Sequence, residues 1–393
     1  MRNATLPTRT AQCGAVLLVL AAAAPARAQQ PDTAAINAVF ARYDRPGSPG
    51  CALAVTRGGG VVFQHGYGYA NLDWDIPITP ATVFYAGSVS KQFTATAIVL
   101  LAERGKLALD DPITKYIPEL PDSTYGAVTL RQMLHHISGV ADTYAAMARA
   151  GIPVADVFSD SAAIALLARQ PLNFRPGERY SYSNGAYLLL ADVVARVSGE
   201  SFREFTQRNI FGPLGMTHSH FHDRAGHIVK RRAMSYEPAD DTGFVQSYMS
   251  NFDKVGAGGL YTTVGDLLTW QRAFFAGRVG GPGFLRTMLT RGVLNDGDTL
   301  RYALALVDTA YEGHRIVGHT GSMMGFKADL IRFPDDDLGI AMLCNLGSVR
   351  QRTLTLPVAD LFLGTAPARN GGAPRGAAHG RVQTTEPVRP GTP

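Results

Sequence analysis

Ser88 and Lys91 stand three residues apart in the run Ser88-Val89-Ser90-Lys91. A serine hydroxyl is a poor nucleophile until a base takes its proton. On a helix, positions i and i+3 share a face. An amine at Lys91 can therefore hold or accept that proton once burial lets it lose its own. Of the six lysines, Lys91 alone follows a serine by three positions. A helix-capping serine beside a snorkelling lysine has the same spelling. Against that alternative, residues 88–104 (SVSKQFTATAIVLLAER) are apolar on nearly all sides until Gly105 stops them. A lysine in so apolar a helix needs a buried partner or a task.

Two further groups carry chemistry. Tyr182-Ser183-Asn184 lies between the Pro176-Gly177 turn and a helical pattern at 186–197. A tyrosine hydroxyl among cations can act as a general base, and Asn184 can donate to a substrate carbonyl. A solvated turn uses the same residue types. His319-Thr320-Gly321-Ser322 opens a strand pattern. Glycine lets a ligand approach the backbone, and the N–H just after it can join that of Ser88 in an oxyanion hole. A Gly-Ser turn between strands is the alternative there.

A rival constellation is His218, His220 and His222, followed by Asp223. On a strand this alternation would set three imidazoles on one side, which suits zinc. A solvated histidine-rich loop is the other reading. His135 and His136 read as structural. No G-x-S-x-G elbow surrounds Ser88, and H-E-x-x-H, a P-loop and a strand-following G-x-G-x-x-G are missing.

The elements that must position these groups follow from periodicity. Residues 33–43 have apolar positions at helical spacing. Cys51, Leu53 and Val55 alternate, Gly58-Gly59-Gly60 turns the chain and Val61-Val62-Phe63 begins a second strand, which predicts a hairpin. A helix begins at Thr263 with Asp266 as its capping pair. Strands are predicted around Ile316-Val317, over 326–333 and over 338–344, then a helix over 354–363 despite Pro357. Strands at both ends with helices between predict one sheet built from the two termini, with a mostly helical insert against it.

Composition bounds the rest. The chain has 393 residues, 46% apolar and 18% charged, enough for a large core. Residues 1–28 hold Arg2, Arg9 and Arg27 with no acid, and residues 365–393 hold four arginines against Glu386. Removing +3 at each end from the formal +5 leaves −1 for residues 29–364. The basic excess belongs to the ends, so no footprint for nucleic acid is expected. Arg2 and Arg9 precede a ten-residue apolar run, Ala15 to Ala24, and Ala26-Arg27-Ala28 ends in small residues. That is a secretory signal over 1–28, too short for the roughly 20 residues of a membrane span. A periplasmic or secreted protein without a lasting membrane anchor is expected. Five Pro, five Gly and five Ala fill residues 365–393, which predicts a disordered tail.

Together and in this order, Ser88…Lys91, Tyr182…Asn184 and His319-Thr320-Gly321 resemble the S-x-x-K, Y-x-N and [K/H]-T-G marks of the serine β-lactamase and penicillin-binding protein superfamily. The chain is most similar to the branch of class C β-lactamases, DD-carboxypeptidases and β-lactamase-like esterases. The likeness runs over roughly residues 35–364, through stretches such as RPGERYSYSNGAYLLLADVV and GHTGSMMGFKADLIRFPDDD. It implies an α/β (α+β) fold of the β-lactamase/DD-peptidase kind: an antiparallel sheet flanked by helices plus a mainly helical subdomain, with the site in the cleft between them. The hydrolase domain would then be residues 29–364.

The resemblance also implies roles. Ser88 attacks a carbonyl and is acylated, Lys91 and Tyr182 share proton transfer, and Asn184 orients Lys91 and the substrate amide. The N–H groups of Ser88 and Ser322 hold the oxyanion, and the strand of His319, Thr320, Gly321 and Ser322 binds substrate. No metal or other cofactor is implied, and the His218–His222 stretch falls on a loop without a metal role. Class C enzymes usually have lysine where this chain has His319, and histidine is charged only below its pKa. That departure points to a D-Ala-D-Ala carboxypeptidase-like hydrolase of small amides or peptides, with β-lactams as acylating ligands. The alternatives are a class C-like β-lactamase or carboxylesterase, and a penicillin-binding sensor that is acylated without turnover. The resemblance puts Cys51 and Cys344 on neighbouring strands. An exported protein can oxidise them, or they can serve as small buried apolar groups.

Overall fold

Strand-patterned stretches lie early, at 51–67, and late, at 316–344, and in the computed structural model they meet in one sheet. The structure describes residue 1 and residues 32–153, 158–240, 243–247 and 254–365. Met1 and Thr365 aside, the expected signal over 1–28 and tail over 365–393 lie outside the described residues. β1 (Cys51–Arg57) and β2 (Gly60–Tyr67) form the predicted hairpin. β3 (Val307–Tyr311), β4 (His314–Met323), β5 (Phe326–Phe333) and β6 (Leu338–Cys344) form a meander. The sheet order is β3-β4-β5-β6-β1-β2, with every pair antiparallel. The pairing of β1 with β6 joins the early hairpin to the late meander and sets Cys51 opposite Cys344 and Val55 opposite Ile340.

Six helices bear on the sheet or the site: α1 (Thr33–Phe40), α2 (Lys91–Glu103), α3 (Thr143–Arg149), α4 (Asn184–Ser198), α5 (Val264–Phe275) and α6 (Arg352–Leu363). Strand period two sorts the sheet into two faces. On one, Cys51, Leu53, Val55 and Ile340 pack with Ile36 and Phe40 of α1 and Val358 and Phe362 of α6. On the other, the small residues Ala52, Ala54, Ala328 and Ala341 join the larger core containing α2, α4 and α5. At its centre Phe93 lies 4.6 Å from Trp270 and 5.3 Å from Phe211 between ring centroids. Among the described residues, no helix is long and apolar enough to cross a membrane.

Two predicted helices differ in detail. The run expected to be helical from residue 88 opens as a 3-10 turn, Gly87–Ser90, and becomes α-helical only at Lys91. Gly87 has φ +53°, which an L side chain resists, and the turn must fit under β4. At Thr263 half of the capping pair forms. Thr263 Oγ1 accepts from Asp266 N, but the Asp266 carboxylate turns away to accept from His218 N and Ser219 Oγ.

Cys51 and Cys344 are fully buried and disulfide-bonded across β1 and β6, closing a separation of 293 residues. Cross-linking so long a loop stabilises mainly by restricting the unfolded chain. Replacing both cysteines by alanine is expected to lower the unfolding free energy by about 2–5 kcal/mol in urea titration. An unchanged midpoint would show that the bond adds nothing to this sheet.

Candidate active site

The 3-10 turn decides the first contact. With three residues per turn, side chains at i and i+3 eclipse. Lys91 Nζ thus sits 3.3 Å from Ser88 Oγ, at the mouth of helix α2, which is buried from Lys91 to Leu101. Ser88 is half-buried, whereas Lys91 is 0% exposed. Two further acceptors hold the amine: Asn184 Oδ1 at 2.8 Å and the Ala257 carbonyl at 2.8 Å. The Tyr182 and Tyr187 rings lie 4.7 and 5.5 Å from Nζ. Burial pushes the Lys91 ammonium down from 10.5 to about 7, and the Asp142 carboxylate offsets only part of that.

Asn184 opens α4 behind an N-cap at Ser183, whose Oγ accepts from Ala186 N at 3.0 Å. Its amide bridges outward from Lys91, with Nδ2 donating to Asp142 Oδ2 at 2.7 Å. The ring of Tyr182 is half-buried, but its hydroxyl is cut off from solvent and has no well-directed partner among the described residues. Burial raises the phenol well above 10, and a hydrogen-bonding interaction with Ser88 opposes this only in part. Burial thus favours the protonated phenol, and the Asp142 charge nearby opposes its ionisation further. His136, expected to be structural, lies against the site. Its ring is 4.2 Å from that of Tyr182 between centroids, and its Nδ1 accepts from Ser183 N. His135 remains a framework residue, with its ring nitrogens at the Arg131 and Thr290 carbonyls.

β4 closes the other side. A Cβ on Gly321 would lie 2.1 Å from the Ala86 carbonyl oxygen and 3.0 Å from Ser88 N, and one on Gly87 would lie 2.7 Å from Ser322 N. Two glycines thus let strand and nucleophile turn touch backbone to backbone. His319 and Gly321 share the face toward Ser88. Thr320 and Ser322 alternate to the face of Asp329 and α6. Gln351 Nε2 donates there to the Gly321 carbonyl and to Ser322 Oγ, at 2.9 and 3.0 Å. Ser322 therefore offers the site its backbone amide, not its hydroxyl. His319 is buried, and desolvation, aided by the Lys91 charge, pushes it down to about 3. Its Nδ1 donates to the Thr320 carbonyl, leaving Nε2 to accept from the Tyr302 hydroxyl at 3.1 Å. The residue is neutral, with both nitrogens occupied.

The histidine trio does not converge. His220 Nε2 is 3.4 Å from His222 Nδ1, but His218 turns to Thr217 and Asp266. Among the described residues, no three His, Cys, Asp or Glu side chains gather into a metal-holding group. Sequence reasoning missed Asp142, Gln351 and the site position of His136. Asp142 is spelled as a helix N-cap, and its Oδ1 does accept from Tyr144 N and Ala145 N.

A hydroxyl one turn from a dry amine, facing a glycine-bearing strand edge on a sheet flanked by helices, defines the serine acyl-transfer class of site. The chain belongs to the beta-lactamase family, whose model matches residues 36–361. It is similar to a D-aminopeptidase of Gluconobacter oxydans, 31% identical over 81% of this chain and 59% of that protein. It is also similar to penicillin-binding protein 4* of Bacillus subtilis, 28% identical over 75% of this chain and 68% of that one. The chain thus spans about three fifths of the length of the D-aminopeptidase. Among solved structures, the octameric penicillin-binding protein homologue from Pyrococcus abyssi superposes with a TM-score of 0.73 at 27% identity, covering 84% of this chain and 76% of that one.

Replacing Gly321 by alanine forces a methyl group into the Ala86 carbonyl and pushes β4 off the turn. The variant should stay folded by circular dichroism, at a loss of about 1–3 kcal/mol. Its turnover of whichever amide or ester the unmodified protein hydrolyses should slow by about 100-fold or more, the scale of losing an oxyanion donor. Turnover at the unmodified rate would refute the need for this close approach.

Proposed function

We propose that this protein is an exported serine amidohydrolase that forms an acyl-Ser88 intermediate and cleaves the amide bond of a D-configured amino acid derivative. The observation that carries this reading is the Lys91 amine, dry, held near pKa 7 and 3.3 Å from Ser88 Oγ. A neutral amine has two N–H donors and one lone pair. Asn184 Oδ1 and the Ala257 carbonyl only accept, so they claim the two donors. The lone pair is left for the Ser88 O–H. As Oγ attacks the substrate carbonyl, its proton passes to Nζ. The oxyanion that develops is met by the Ser88 and Ser322 amides. Collapse expels the amine, which takes a proton from the Lys91 ammonium through the protonated Tyr182 hydroxyl. Water then releases the acyl group by the reverse transfers.

The choice of amide over carboxypeptide rests on His319. A carboxypeptidase must hold the terminal carboxylate of its substrate, and a neutral imidazole with both nitrogens occupied offers it no charge. An amidase or aminopeptidase has no such need, and a relative is named a D-aminopeptidase. Export is supported by the buried disulfide, since such bonds persist in oxidising compartments. Sequencing the mature N-terminus should find Gln29 first, and retention of residues 1–28 would overturn this part.

Turnover of D-alanine p-nitroanilide is expected to exceed that of its L-isomer, D-Ala-D-Ala peptide, nitrocefin and p-nitrophenyl butyrate. Preference for the peptide, nitrocefin or the ester would instead select the carboxypeptidase, β-lactamase or esterase reading. Stoichiometric penicillin labelling without turnover of any substrate would indicate a sensor. Ser88→Ala should lose about 1,000-fold or more. Lys91 works as a base only when neutral, so kcat/KM should rise with pH through about 7. A profile flat from pH 5 to 9 would remove Lys91 from that role.

A further inference from the structure

We propose that Asp142 is the positioning residue of the proton-transfer pair, its carboxylate fixing the Asn184 amide so that Oδ1 is the atom presented to Lys91. This rests on the acyl-Ser88 reading above. The carboxylate accepts four hydrogen bonds, divided cleanly between its oxygens. Oδ1 takes Tyr144 N and Ala145 N at 2.9 and 3.1 Å, which is all that capping α3 requires. Oδ2 takes Asn184 N at 2.8 Å and Asn184 Nδ2 at 2.7 Å, from a residue 42 positions away. A cap alone does not explain that second pair.

The consequence is an orientation. An ionised carboxylate only accepts, so it can face the NH₂ end of the Asn184 amide and not its oxygen. The oxygen is thereby turned to Lys91 Nζ, 2.8 Å away. With Asp142 neutralised, the amide is free to flip. Nδ2 would then donate into the Lys91 lone pair that must receive the Ser88 proton.

The same carboxylate is the charged neighbour of Lys91. The other titratable groups facing the amine are Tyr182 and Tyr187 of the α4 region, His136 from the preceding loop and His319 of β4. Burial keeps both phenols protonated and both imidazoles neutral. Arg352 lies beyond His319, where it is paired with Asp329.

The test uses Asp142→Asn and Asp142→Ser in the full chain, both of which keep an N-cap side chain. The readout is acyl transfer from p-nitrophenyl butyrate between pH 5 and 9. Both variants should melt near the unmodified protein, and kcat should fall about 10–100-fold, the usual scale for an orienting partner. The acid limb should also move to lower pH, because Lys91 has lost the negative charge that favoured its ammonium. A cap whose charge merely lies near Lys91 would move that limb and leave the plateau kcat unchanged. An unchanged plateau kcat in either folded variant would overturn the proposal. So would loss of folding in both, which would assign Asp142 to stability. Ser88→Ala run in parallel separates the two claims. If it retains turnover the acyl-serine reading falls, and if it is silent while the Asp142 variants match the unmodified protein, only the positioning role falls.

Discussion

The site depends on a primary amine kept out of water with fewer compensations than a charge demands. A fully buried ammonium would need strong partners, and desolvating one without them is costly. Lys91 has three neutral oxygens, two tyrosine faces and one carboxylate beyond Asn184. That set satisfies hydrogen bonds without holding the proton tightly. The amine is left divided between its two protonation states near neutral pH, where a base can both take and return a proton. A carboxylate in direct contact would favour the ammonium. With no carboxylate nearby, the pKa would fall further and the amine would return the proton too readily.

The rest of the fold can be understood as holding that balance. α2 is buried from Lys91 to Leu101, so the amine cannot reach solvent by tilting its helix. The sheet is anchored from behind by α1 and α6, and its early and late strands are joined through β1, β6 and the Cys51–Cys344 bond. β4 therefore meets the nucleophile turn as a fixed edge. Gln351 at the start of α6 adds a tie from the far face. Gly87 and Gly321 remove the two Cβ atoms that would separate these backbones.

Much of this was legible in the amino-acid sequence, and the parts that were not have physical reasons. Alternation marked β1 and β2, and apolar runs marked β4, β5, β6 and α2, whereas β3 at the rim of the sheet was not predicted. Ser88, Lys91, Tyr182, Asn184 and the 319–322 strand were legible through resemblance, since no single motif distinguishes itself from a turn or cap. The 3-10 turn was hidden because its cause is the approach of β4, more than 200 residues away. Asp142 was hidden because one of its oxygens performs the ordinary task its spelling suggests. The protonation of Tyr182 and His319 was unreadable for a different reason: neighbours of both signs were foreseeable, but their depth in the protein was not.

His319 shows what that depth does. A lysine at this position, usual in class C β-lactamases, would place a second cation opposite Lys91 and anchor an anionic substrate at the same time. That cation would depress the Lys91 pKa by charge repulsion. Here the histidine is neutral, so the depression must come from burial, and burial dominates the shift. The two solutions tune the base alike but differ toward the substrate. Repulsion by a lysine comes with an anchor for carboxylates, whereas burial offers none. On the proposed amidohydrolase reading, a base tuned by desolvation needs no cation at this position, and the neutral His319 suits substrates whose leaving side carries no charge.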